Sequence, residues 1–208
     1  MHRNQMSPAV LAAALNACAV EPKLLNSERI ERRFGGFGID LLGQASGMRR
    51  SNLHSADGDD RICRTYAVVQ FVDQDISEFA DEHKAVLSGE SIGATFKITG
   101  WEIKKATAHI GHVEICGAQH AIGELMHLEK TENLAMHAYR LILERNSQSV
   151  HYATIVETHH PEYLTEAELL ELYGADLESR LDAGDIAELV RLISDPGQER
   201  DSAFVAKV

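Results

Sequence analysis

The residues best able to do chemistry in this 208-residue chain lie in HYATIVETHHPEYL, positions 151–164. Glu157 closes an apolar run, and His159, His160 and Pro161 follow at once. Zinc sites gather His and carboxylate ligands into a compact set, so a metal centre is the first candidate. Strand alternation opposes it: His151, Glu157 and His159 would point one way and His160 the other. His151 and Glu157 would lie ~20 Å apart along such a strand. No HExxH helix supplies further ligands. Only Glu157 and His159 can share a site, so no metal is expected. His109, His112, His120 and His127 read as loop or surface. Glu157 keeps two readings. Buried, its pKa rises and it can hold or donate a proton. Just outside the core, it is solvated or paired with an arginine.

The elements that must position Glu157 are legible in outline. AYRLILE (138–144) and HYATIVET (151–158) read as paired strands joined by the polar turn RNSQS. RICRTYAVVQF (61–71) is the clearest strand, preceded by the Asp-Gly hairpin chemistry of ADGDD (56–60). ASGMRRSNLHS (45–55) reads as a loop leading into a strand, and FGIDLLG (37–43) as a further strand. NSERIERRF (26–34) is a helix capped by Asn26 or Ser27 and ended by glycines. DISEFADEHKAVLSG (75–89) is a helix stopped by Gly89, and 91–117 mixes a turn with strand signals. Thr165 with Glu168 and Asp185 with Glu188 form capping boxes of two C-terminal helices. Ser7 and Pro8 open an Ala-rich N-terminal helix too short to span a bilayer. The class is α+β: an antiparallel β-sheet with flanking helices over residues 1–164, then a C-terminal helical extension and loose tail over 165–208.

Composition narrows the partners. Lys and Arg number 20 against 32 Asp and Glu, for a net charge of −12. That excludes general binding to nucleic acid or an anionic membrane, which needs a basic surface, but not a small anion in a closed pocket. Cys18, Cys63 and Cys116 are odd in number and far apart, with no CxxC, so neither a disulfide framework nor a zinc knuckle is expected. A reducing, cytoplasmic setting fits.

Four segments then align in order. They are NSERIERRFGGFG (26–38), RRSNLHSADGDDRICRTYAVV (49–69), SIGATF (91–96) and AYRLILERNSQSVHYATIVETHHP (138–161). Together they resemble the chorismate pyruvate-lyase family and the related UTRA ligand-binding domain of GntR-type regulators. The likeness covers residues 26–164. It departs from the family in the polar run after Arg50, in Ser91 for a proline, and in Val156 for a threonine.

The resemblance implies a chorismate lyase-like fold and elimination of pyruvate from chorismate, or a related enol ether acid, to leave a hydroxybenzoate. It implies no cofactor and no metal. Glu157 would be the catalytic acid and Arg50 the carboxylate partner. Ile30 would wall the ring, and the Ile92–Gly93 backbone would hold the other acidic end. Arg49 adjoins Arg50, and a one-residue slip of register decides which of them faces the pocket. Two alternatives stay open: a non-catalytic small-molecule-binding module, or a lyase-like enzyme with another substrate. Too few residues precede the match for a winged helix, so a DNA-binding regulator is not expected.

Overall fold

A computed structural model describes residues 24–45, 47–57, 60–177 and 181–194. The helix expected from Ser7 and Pro8, Cys18, the hairpin glycine Gly58 and the tail beyond 194 lie outside these residues. The chain is α+β, with a six-stranded antiparallel sheet flanked by helices. The strands are β1 (Gly38–Ala45), β2 (Met48–Asp57), β3 (Asp60–Phe71), β4 (Glu102–Cys116), β5 (Thr131–Arg145) and β6 (Gln148–His159), in the order β1-β2-β3-β6-β5-β4. The helices are α1 (Asn26–Phe34), α2 (Ala80–Leu87), α3 (Ile92–Ile98), α4 (Ala121–Leu125), α5 (Glu166–Tyr173) and α6 (Ala183–Ser194). No helix among the described residues is long and apolar enough to cross a membrane.

The β5–β6 hairpin sets the register of the centre. Arg145 pairs with Gln148, and Asn146 and Ser147 both take positive φ (50° and 67°), the backbone of a two-residue turn that matches strand twist. Tyr152 is then skipped in the pairing between Leu141/Ala153 and Ile142/His151. That bulge turns His151 to the face opposite Glu157, which corrects the uniform alternation expected from 151 to 159.

Three other expectations change. Residues 48–57 are strand, not loop, because β1 and β3 pair with them on both sides. Segment 91–117 is a helix followed by a 15-residue strand: Ser91 Oγ accepts from Ala94 N (3.4 Å), so the SIG sequence opens α3. His109 and His112 therefore lie in β4, while His120 caps α4 through Ile122 N (3.1 Å). Helix α6 begins at Ala183, before the Asp185–Glu188 box, with Asp182 Oδ1 accepting from Asp185 N (2.9 Å). The Thr165–Glu168 box is formed, with Thr165 N donating to Glu168 Oε2 (2.7 Å).

The two faces of the sheet differ. One buries Val68, Val113, Leu134, Met136 and Val156 against Ile122 of α4 and Leu189, Leu192 and Ile193 of α6. The other carries two apolar clusters. The first forms around Phe79, Phe96, Trp101 and Tyr152, whose rings meet edge to face. The second forms around Ile30, Tyr163, Leu164, Leu169 and Leu172.

Candidate functional site

A cavity of ≈ 360 Å³ takes walls from both clusters of the second face, roofed by the starts of α1 and α3 and by the end of α5. Its floor follows from cross-strand register, since paired residues share a face. One row runs Arg49–Val69–Ile155–Tyr139 and the next Ser51–Ala67–Glu157. Arg49 and Glu157 are two strands and two residues apart, so their Cα atoms lie about 12 Å from each other. Both side chains line the cavity, and that spacing leaves room for a small ring between them.

Register separates the two arginines. Arg49 lies on the cavity face, and Arg50, one residue on, lies on the other, with its guanidinium beside the Tyr66 hydroxyl. The choice left open between them thus falls to Arg49, and Arg50, expected as the carboxylate partner, lies outside the lining. Arg49 is 2 % exposed. Its Nε donates to Ser51 Oγ (2.8 Å), Nη1 to the carbonyls of Val86 (2.6 Å) and Glu90 (2.9 Å), and Nη2 to Gly89 O (3.2 Å). Val86 lies in the last turn of α2 and Gly89 and Glu90 follow it, at the end where the helix dipole favours a cation. Burial draws its pKa below the ordinary arginine value, yet a guanidinium stays charged at neutral pH. Four of its five N–H groups are thereby spoken for, so the guanidinium is held rigidly at the cavity wall.

Glu157 sits at the centre of a polar network. Asn26 Nδ2 donates to Glu157 Oε1 (3.4 Å) and to Thr65 Oγ1 (3.2 Å). Thr65 then donates its hydroxyl hydrogen bond to His159 Nδ1 (3.0 Å), which places the ring proton on Nε2. That nitrogen is buried without a hydrogen-bond partner, 3.9 Å from Glu157 Oε2. Asn26 Oδ1 accepts from the Tyr163 hydroxyl. Lys105 Nζ lies 3.5 Å from Glu157 Oε2, on the far side from Asn26's contact. Burial pushes the Glu157 carboxyl up, but Lys105, His159 and Tyr139 together outweigh it and hold it below the usual carboxylate value. Of the two readings of Glu157, its surroundings favour the paired carboxylate, with Lys105 in the place of an arginine. His159 is neutral, its pKa lowered by burial to about 4.

The other expected residues divide. Ile92 and Gly93 line the cavity from the first turn of α3. A Cβ at Gly93 would stand 3.0 Å from Leu25 Cδ2, so the glycine permits α3 to approach the start of α1. Ile30 is fully buried among Tyr163, Leu164 and Leu169 and does not line the cavity, which corrects its assignment to the ring wall. His137, fully buried, stacks on Tyr173 (centroids 4.6 Å apart). His160 is held by Arg64 and Met126 O on the turn after β6, away from the cavity. Among the described residues no three His, Cys, Asp or Glu side chains come together to hold a metal.

Lys105, Asn26 and Tyr173 were not identified from the sequence. The signal for Lys105 was its place in EIKK, two residues after Ile103 and so on the same strand face. Asn26 reads as a helix cap, but Leu25 takes that place, with its N–H on Glu28 Oε2 (2.8 Å), and the amide of Asn26 reaches Glu157 instead. Comparison of the sequence with protein-family models and with curated proteins finds no match.

Proposed function

We propose that the cavity binds a small cyclic carboxylate, and that the protein is a chorismate lyase-like enzyme eliminating pyruvate from chorismate or a related enol ether acid. One observation carries this reading. In a chain of net charge −12, two cations, Arg49 and Lys105, face the cavity against one carboxylate, Glu157. A pocket of that sign selects a small anion, whereas the chain as a whole repels one. Apolar side chains of Val69, Leu141 and Ile155 supply a surface for a ring.

In the elimination, a ring C–H proton leaves to a base, the ether C–O bond breaks, and the departing enolpyruvate takes up a proton at its terminal carbon to become pyruvate. Arg49 offers the carboxylate the one N–H not held by Ser51 and the carbonyls of Val86, Gly89 and Glu90. Glu157, ionised, serves as the proton acceptor. Aromatisation supplies the driving force, so orientation in a dry pocket is the protein's main contribution. The reading needs no cofactor and suits a cytoplasmic metabolite.

A binding role without turnover is favoured by one fact: Glu157 is already engaged by Lys105 and Asn26. Incubation with chorismate, following pyruvate and 4-hydroxybenzoate together, separates the two. Equimolar release above the buffer rate, lost in Glu157→Gln, supports the lyase. Chorismate that raises the melting temperature without release of either product supports the binding module.

A further inference from the structure

Among the described residues, Lys105 brings a charged group from the cavity against both Glu157 and the C-terminal extension. Its Nζ is 3.5 Å from Glu157 Oε2, 4.3 Å from the centroid of the Tyr139 ring and 5.2 Å from that of Tyr173. A cation over two aromatic faces and against a carboxylate is held by Coulomb and quadrupole attraction at once. Tyr173 closes α5, so a residue beyond Thr165 completes the enclosure. Its ring is fixed in turn by stacking on His137 at 19° between planes.

We propose that Lys105 is the positioning residue of this site: its ammonium, set between Tyr139 and Tyr173, holds Glu157 as a carboxylate at the cavity wall. The cavity thereby presents an ionised carboxylate to its ligand. This rests on the reading of the cavity as an anion site, and it adds what sets the charge of its base.

The groups facing Glu157 come from every element around it. Asn26 reaches it from α1, Lys105 from β4, and Tyr139 and His137 from β5. His159 flanks it on β6 itself, and Tyr163, whose hydroxyl Glu157 helps keep protonated, lies on the turn after β6. The buried Arg29 of α1 acts on His159 and Tyr163. Among the groups that shift Glu157, Lys105 gives the largest opposition to burial. Burial also keeps His159 and His137 neutral near pH 7, so neither replaces the ammonium. Lys105 itself, though partly buried, is held protonated above all by Glu157.

The test is a pH titration of Glu157 by side-chain carboxyl 13C NMR of the full chain, assigned by Glu157→Gln. Wild type, Lys105→Met and Lys105→Arg are compared without ligand. The expected result is a Glu157 midpoint about 1–3 pH units higher in Lys105→Met, as for loss of a close opposite charge, with recovery in Lys105→Arg. Tyr173→Leu is expected to move the midpoint the same way by a smaller amount. The same midpoint in Lys105→Met and wild type overturns the proposal. Urea midpoints show which variants are folded, and Lys105→Gln replaces Lys105→Met should the latter not fold. Because no ligand enters this titration, its failure is distinct from absence of chorismate turnover, which strikes the functional reading alone.

Discussion

The two faces of the sheet are built from the same strands and make opposite use of them. On the face under α4 and α6, Leu134, Met136, Val156 and Ile193 meet in a dry apolar cluster. On the cavity face, the neighbouring positions on β5 and β6 are His137, Tyr139, Glu157 and His159, all buried. Val156 and Glu157 are consecutive, as are Met136 and His137. A β-strand separates such neighbours onto two environments, so one face can supply stability while the other carries charges that burial alone would penalise. Adjacent Arg49 and Arg50 are divided by the same rule.

The largest effect that would sharpen this contrast is on the dry face. Leu134→Ala removes a fully buried side chain and is expected to cost about 2–5 kcal/mol in urea unfolding, with ligand affinity of the folded protein unchanged. A weakened affinity at full folding would break the division of labour.

Next comes pH. His159 and His160 have folded pKa values of about 4 against an ordinary 6.5. The unfolded chain takes up their protons first as pH falls. Stability is therefore full above 6.5, declines between about 6.5 and 4, and has lost ~3 kcal/mol per histidine below that window. Glu157, depressed in the fold, contributes above the ordinary carboxylate pKa and loses that contribution as pH falls through its folded value. Urea midpoints across pH 4–8 for wild type and His159→Gln are expected to show a flatter dependence in the variant. Equal slopes would mean that His159 titrates normally.

The smallest effect concerns Ile30. Packed against Tyr163 and Leu169, it is expected to cost ~0.5–1.5 kcal/mol on change to Val, with no change in affinity for 4-hydroxybenzoate. A change in affinity at constant stability would return it to the ring wall.

The fold class was legible because its strongest signals are local: β-branched runs for β3 and β6, and the Thr165–Glu168 box for α5. The start of α3 was missed because SIG carries turn chemistry and helix-opening chemistry alike. The site was half legible. Glu157 stood out as an acid at the end of an apolar strand. Its protonation state did not, because it depends on Lys105, Asn26 and Tyr139, which lie on β4, α1 and β5 and meet only in the fold. The choice between Arg49 and Arg50 hung on the β2–β3 register, Arg49 against Val69, which no short stretch of sequence specifies.

The most direct measurement of the central claim is pyruvate release from chorismate by Arg49→Met beside Arg50→Met, with urea midpoints to establish folding. Substitution of Arg49 is expected to lower kcat/KM by about 10–100-fold, the worth of a hydrogen bond to a charged group, while Arg50→Met matches wild type. Loss confined to Arg50→Met, or equal loss in both folded variants, would contradict a catalytic cavity on the Arg49 face.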